Sequence, residues 1–468
     1  AAVRWKSCAA AAEVPHACMT AGAPVELGTL ARDVGACLRL RLRCGEGLTV
    51  GSLPLDKLRF YIHGDFPLAA ALYQALDNDC IGILVRDPKN PQSSVRLPPQ
   101  VIRPIGFEDG EGLLPRPDRS FAGYGLLTEY FAFPHKYLFL ELGGLERLQG
   151  AQFGQEVEVI FLVRSLESAE RQDLLERYVK QDTLRLGCTP VVNLFDADAE
   201  PLRLDQRRTE YLIRTHSPKE HPYEIYSVEE VWAVTPTNSR VPFEPFFSYR
   251  HRGRSDAKPL FWQAQRFPSQ WLDRSATDVS LSFVDLSGET IQPPYPTVMV
   301  RLQAFNGLLP SKLDITRDKG NLELKGGGAP LERIQVLMHP TKPIQPPLDG
   351  TLLWRLVSQL SLNYLSLVDD DGNALRELLR VYNFGQADLG EKQIRGISKV
   401  DSEPWRAQVL SDQRYTFARG RRIHLEFDED RFSGGGMYLL ASVLERFLAM
   451  YASLNSFTTL VAKVRSRH

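Results

Sequence analysis

The hydrophobic period of this chain changes once along its length. Residues 36–43 read Ala-Cys-Leu-Arg-Leu-Arg-Leu-Arg. That alternation of period two matches a half-buried β-strand, with Leu38, Leu40 and Leu42 toward a core and Arg39, Arg41 and Arg43 away from it. Beyond the proline-rich stretch 340–349, apolar residues instead recur at three- and four-residue spacing. Leu353, Leu356, Val357, Leu360, Tyr364 and Leu367 form one such stripe, and Met437, Leu440, Leu444, Phe447, Tyr451 and Leu454 form another. A stripe of that spacing is the buried face of an amphipathic helix. Segments 352–367 and 417–460 are therefore built to pack helices and strands, and neither carries an arrangement for covalent chemistry.

Strands are expected at 57–62, 81–85, 137–142 and 157–163, then at 224–234, 279–285, 297–304 and 334–337, separated by turns that carry Pro and Gly. A helix starts after Gly64, with Asp65 as its cap and Pro67 in its first turn. It places Leu68, Leu72, Tyr73 and Leu76 on one side. A second helix fills 120–133 and stops at Pro134. Residues 87–99 read as a loop. In the last third a helix at 374–382 is capped by the acidic run 369–371, short strands lie at 415–417 and 423–427, and a strand at 457–464 closes the chain. The fold class is α+β and multidomain: β-sandwich-like modules with inserted helices and a mixed α/β C-terminal domain. The expected boundaries are 1–165, 166–345 and 346–468. The 468 residues suffice for several cores.

The formal net charge is -1, from 56 basic and 57 acidic side chains, so no global basic field draws the chain to nucleic acid or an anionic membrane. No apolar run is long enough to span a bilayer, and no direct membrane insertion is expected. The first residues lack the apolar core of a signal peptide, and the absence of an initial Met suggests a longer protein. None of the six cysteines, Cys8, Cys18, Cys37, Cys44, Cys80 and Cys188, forms a Cys-x-x-Cys pair, so a structural zinc site lacks its usual spacing. Cys37 and Cys44 are an odd number of residues apart and face opposite sides of one strand.

Each candidate site has a plainer reading. The run Asp369-Asp370-Asp371-Gly372-Asn373 fails the calcium-loop pattern, because loop positions one and twelve fall on Leu367 and Leu378. Gly434-Gly435-Gly436 precedes a helix without the Lys-Ser/Thr of a phosphate loop, and reads as a turn for close packing. His216 and His221 flank Ser217-Pro218 and read as loop histidines. Arg39, Arg41 and Arg43 form either an anion-binding stripe or a solvated or interface face. No catalytic, cofactor or metal residue is assigned, and the chain is expected not to be an enzyme.

Several segments, in order along the chain, carry a resemblance. They are Leu55-Asp56-Lys57-Leu58-Arg59-Phe60-Tyr61 with Gly64-Asp65, then Ile102-Arg103-Pro104-Ile105-Gly106-Phe107, Leu113-Leu114-Pro115 and Leu127-Thr128-Glu129-Tyr130-Phe131-Ala132-Phe133-Pro134. Thr189-Pro190-Val191-Val192-Asn193-Leu194-Phe195 and segments 352–367 and 417–460 complete the set. Together they resemble the TssF family (ImpG, VasA) of the type VI secretion baseplate. The resemblance implies a structural wedge subunit and no enzymatic step. It implies a TssG-like partner joined by a second copy of this chain in a 2:1 wedge, then TssK, the sheath-nucleating TssE and a spike hub. It also implies a cytoplasmic protein held at the inner membrane through the baseplate and membrane complex, supporting assembly of the contractile sheath and tube.

A rival reading takes the β modules as carbohydrate-binding or carbohydrate-processing, with Phe243, Phe246, Phe247 and Tyr249 as a sugar platform. Under the wedge reading, the interaction candidates are Trp354, Tyr364, Met437, Leu444, Phe447 and Tyr451. Leu444→Asp or Phe447→Asp is expected to abolish baseplate assembly, checked by recovery of the assembled particle. Normal folding with normal assembly of both variants would remove the assignment.

Overall fold

The computed structural model describes residues 12–21, 33–313, 322, 333–348, 350 and 354–465, less the stretches 46, 91–92, 118–119, 151–152, 167, 206, 218–222, 236, 238, 248–259, 270–275, 286–288, 358–366, 369–370, 386–387, 412–413, 433–434 and 452–455. The fold is α+β, with four sheets among the described residues. It divides into two compact units, one of residues Val192–Leu352 and one of residues Arg4–Val191 with Leu353–His468. The second unit is therefore discontinuous in sequence.

That unit holds three sheets. In the first, β1 (Ala12–Ala21), β2 (Val34–Cys44), β8 (Glu156–Arg164), β4 (Cys80–Arg86) and β5 (Ser94–Leu97) lie side by side. The expected alternation in β2 is present: Leu38, Leu40 and Leu42 are buried, while Arg43 reaches solvent and pairs with Glu156 at 2.6 Å. Segment 87–99, expected as a loop, is largely a hairpin. β5 pairs with β4, and Asp87 fixes the turn by accepting from the N–H groups of Lys89 (2.7 Å) and Gly154 (3.0 Å). The second sheet runs β6 (Ile102–Ile105), β7 (Phe139–Leu142), β3 (Leu58–Ile62), β9 (Leu184–Arg185).

Helix α1 (Phe66–Asp77) contacts β3, β4 and β8 with Leu72, Tyr73 and Leu76 buried. Asp65 stands at its N-cap position, but its side chain makes no capping hydrogen bond. α2 (Ala122–Ala132) ends where Pro134 opens a short 3₁₀ turn. α3 (Ala169–Tyr178) is capped by Ser168, which accepts from Arg171 N–H. In the last third come α4 (Asn373–Tyr382), α5 (Asp388–Arg395) and α6 (Met437–Met450). The N-cap of α4 is Gly372 rather than a residue of the acidic run, of which Asp369 and Asp370 lie outside the described residues.

The third sheet is β18 (Ile397–Ser411), β19 (Arg414–Asp428) and β20 (Ser456–Arg465), with β20 parallel to β19. The two short strands expected at 415–417 and 423–427 are one long strand, and its partner β18 was not anticipated. β18 shows no alternation because much of it is exposed on both faces.

The other unit is one eight-stranded sheet. Its main path is β10 (Phe195–Asp198), β17 (Thr297–Phe305), β13 (Glu224–Val234), β14 (Arg240–Pro245), β15 (Phe261–Pro268), β16 (Thr277–Val284) and β12 (Glu210–Leu212), with β11 (Leu202–Arg203) on β17. Both ends feed one core that includes Val231, Phe243, Leu281, Phe283, Val300 and Leu302. Arg266 fastens it by donating to the carbonyls of Ile225 (2.8 Å) and Tyr226 (2.7 Å) and to Thr277 Oγ1 (2.6 Å). Residues 334–337, expected as a strand, form none.

One buried ion pair organises the centre of the discontinuous unit. Glu129 on α2 is 4% exposed and Lys136 2%. Glu129 Oε2 accepts from Lys136 Nζ, and Oε1 accepts from the N–H groups of Leu113 (2.7 Å) and Leu114 (2.8 Å). Removing one partner strands a charge out of water. Lys136→Met is expected to cost about 3–5 kcal/mol in urea denaturation, and the double variant with Glu129→Gln less than that.

Candidate assembly surfaces

Phe121 and Tyr124 at the start of α2 cluster with Tyr382, Phe447 and Tyr451 of the last third. Tyr124 stacks on Tyr382 of α4 with ring centroids 5.6 Å apart, and Phe121 meets Tyr451 at 4.6 Å and Phe447 at 6.3 Å. Tyr451 and Tyr124 hydroxyls lie 3.2 Å apart. Gly123 allows this approach, since a Cβ there would stand 2.8 Å from Phe447 Cδ2. Burial, then the neighbouring phenols, raises the pKa of Tyr382. The cluster is apolar packing with a few internal hydrogen bonds.

A polar thread continues it. Tyr130 donates to Gln393 Oε1 at 3.1 Å, and Gln393 Nε2 reaches the carbonyl of Gly435 at 3.5 Å. Gly435 and Gly436 both take positive φ, and a Cβ on Gly436 would meet Phe66 Cε1 at 2.7 Å. The glycine turn before α6 is thus a close-packing device, as its sequence suggests, with Gly434 outside the described residues.

These contacts place the sequence candidates. Leu444 and Phe447 are fully buried in the unit's own core, Met437 and Tyr451 are half-buried, and Tyr364 lies outside the described residues. Trp354 is 73% exposed, with Val357 beside it at 56%. A charge at Leu444 or Phe447 therefore acts first on folding, whereas Trp354 lies at the surface. The helical stripe 352–367 is described only at 354–357 and 367, and Leu454 of the other stripe lies outside the described residues. The proposed sugar platform does not form as drawn: Phe243 is 4% exposed inside the core, and Tyr249 lies outside the described residues, as does His221.

Other surfaces were not singled out by sequence. On the outer face of β13, Trp232 lies under the Arg240 guanidinium at 4.0 Å and near that of Arg301 at 5.9 Å, while Glu230 pairs with both arginines. The signal available was Trp232 and Glu230 two residues apart on one strand face.

Among the described residues no three His, Cys, Asp or Glu side chains are placed to hold a metal, and no helix is long and apolar enough to cross a membrane. A cavity of about 10 Å³ lined by Phe60, Leu76, Leu140 and Phe161 has room for about one water-sized sphere. Burial raises the thiols of Cys44 and Cys188 and pushes Cys80 up to about 11, which keeps them protonated at neutral pH.

These features define a class: a multi-sheet α+β protein whose conspicuous unsatisfied chemistry is exposed side chains on packing elements. Residues 12–468 match the family described as Type VI secretion system, TssF, and the chain belongs to that family. It is 34% identical over 445 residues to the type VI secretion system component TssF1 of Pseudomonas aeruginosa, covering 92% of this chain and 70% of that protein. It is also similar to a chain of the type VI secretion system TssK–TssF–TssG baseplate subcomplex solved by cryo-electron microscopy, with a TM-score of 0.75 and 26% identity. That likeness covers 97% of this chain and 79% of the other.

Two histidines beside the family-like segments, His63 and His135, link the stability of the discontinuous unit to pH. Burial lowers the pKa of His63, with Arg185 adding to the effect and Asp182 opposing it; burial and then His63 lower that of His135. His63 Nδ1 is buried without a hydrogen-bond partner. Both rings favour the neutral form when folded, so the unfolded chain binds more protons below the ordinary value of 6.5. Their stabilisation is complete above that value, declines as pH falls through it, and levels off below the folded-state values. Urea midpoints between about pH 7.5 and 5 are expected to fall, and His135→Gln to flatten that fall. A midpoint constant over this window would contradict the assignment.

Proposed function

We propose that this chain is a structural, non-enzymatic subunit of a type VI secretion baseplate that assembles with TssG-like and TssK-like proteins. The observation that carries the reading is the extent of the likeness: the fold matches a chain of the TssK–TssF–TssG subcomplex over 97% of its length. The finer reading is a wedge of two copies of this chain with one TssG-like subunit, in contact with TssE and a spike hub. In that place the chain scaffolds assembly of the sheath and tube from the cytoplasmic side of the inner membrane. Exposed Trp354 and Val357 supply apolar contact area for a partner helix. Tyr364, Met437 and Tyr451 remain further interaction candidates, and Leu444 and Phe447 support the fold from within the core.

Co-expression with the TssG-like protein and mass determination by light scattering test this directly. The expected result is a stable particle of two copies plus one partner. Trp354→Asp is expected to weaken that particle about tenfold or more while leaving the melting temperature of the free chain nearly unchanged. A monodisperse monomer that ignores the partner contradicts the proposal.

A further inference from the structure

The hairpin of β18 and β19 sorts its charges onto opposite faces. Register fixes the assignment: Val400 faces Leu425, Ser402 faces Ile423, Pro404 faces Arg421, Arg406 faces Arg419 and Gln408 faces Phe417. Partners across an antiparallel pair share a face, and alternate residues return to it. The end nearest the core buries Val400, Ile423 and Leu425. The same face then runs outward past Arg421 to Arg419, Arg406 and Phe417.

The opposite face carries both signs of charge. It carries Asp401 and Glu403, and Glu403 lies 3.3 Å from His424 Nε2 and 3.8 Å from an Arg422 nitrogen. Arg422 also stacks 3.2 Å over Trp405. Among the described residues, the first face has no carboxylate at all. Arg421 is held by Ser402, at 3.2 Å from its Nε to the hydroxyl. Arg406 and Arg419 are both exposed and stand directly opposite one another. Like charges in that position destabilise a sheet. Phe417, two residues along the same strand, is 72% exposed.

We propose that this arginine face, Arg406 and Arg419 flanked by Phe417, is a docking surface for an extended acidic segment of a partner protein. Side chains two apart on β19 are about 7 Å from each other, a spacing that an extended segment with alternating carboxylates repeats. The carboxylates relieve the Arg406–Arg419 repulsion, and guanidinium groups take carboxylates in two-pronged hydrogen bonds. An apolar residue of the segment covers Phe417. This assignment is independent of Trp354 and of which baseplate protein supplies the segment.

Fluorescence anisotropy on the full chain tests it, with a labelled peptide of alternating Glu and Val as the probe and a Lys-Val peptide as the control. The acidic probe is expected to bind and the basic one not to bind. Arg406→Ser with Arg419→Ser is expected to weaken binding about tenfold or more, with a melting temperature equal to or above that of the unaltered chain. Four results would overturn the proposal. They are no binding of the Glu-Val peptide, equal binding by the double variant, a lowered melting temperature in that variant, and equally Arg-dependent capture of phosphatidylglycerol vesicles. The third would make the arginines structural, and the fourth would make the surface a lipid-facing one.

Discussion

The Glu129–Lys136 pair is the contact on which the arrangement of the discontinuous unit rests. A buried carboxylate is costly unless every lone pair is used, and Glu129 uses its two oxygens on a lysine and on two backbone N–H groups. The result fixes α2 against the segment at 113–114 and against the 3₁₀ turn that follows Pro134. Tyr137 at the end of that turn donates back to the carbonyl of Leu126 at 2.9 Å, and Lys136 Nζ lies 4.7 Å from its ring centroid. α2 is thereby held in place for Phe121, Tyr124 and Tyr130 to meet the end of the chain.

Those three residues receive the end of the chain. Tyr130 reaches Gln393, Tyr124 stacks on Tyr382, and Phe121 packs on Phe447 and Tyr451. On the far side of α6, Tyr438 donates to Asp77 at 2.9 Å. Burial raises the pKa of that carboxyl, and the Tyr438 hydrogen bond opposes the rise. Two stretches of chain separated by a whole eight-stranded unit are thus one folded body. This gives a folded base on which Trp354 and, on the β18–β19 hairpin, Phe417 remain exposed.

Local pattern made much of this legible. The Leu-Arg alternation of β2, the start of α1 with Pro67 in its first turn, the stop at Pro134 and the apolar stripe of α6 are each decided by neighbours in sequence and were read correctly, apart from the capping bond expected of Asp65. The glycine turn before α6 was read correctly for the same reason. The failures share a cause as well. β18 carries Asp401, Glu403, Pro404 and Arg406 and has no inward face over much of its length, so only its pairing with β19 makes it a strand. Segment 87–99 looks like a loop because its prolines hide the four residues of β5. Phe243 reads as a surface aromatic, yet its register opposite Val231 turns it into the core. The joining of α2 to the end of α6 depends on contacts such as that between Tyr124 and Tyr451, 327 residues apart, which no local period encodes. For the same reason, exposed and buried members of one apolar stripe could not be told apart.

The most direct test of this account is amide hydrogen exchange on the full chain carrying Lys136→Met. If the buried pair organises the unit, protection is lost together at Leu113 and Leu114, along α2 and along α6, while β13, β16 and β17 exchange as they do in the unaltered chain. Loss confined to the immediate neighbours of Lys136, with α6 still fully protected, would contradict it.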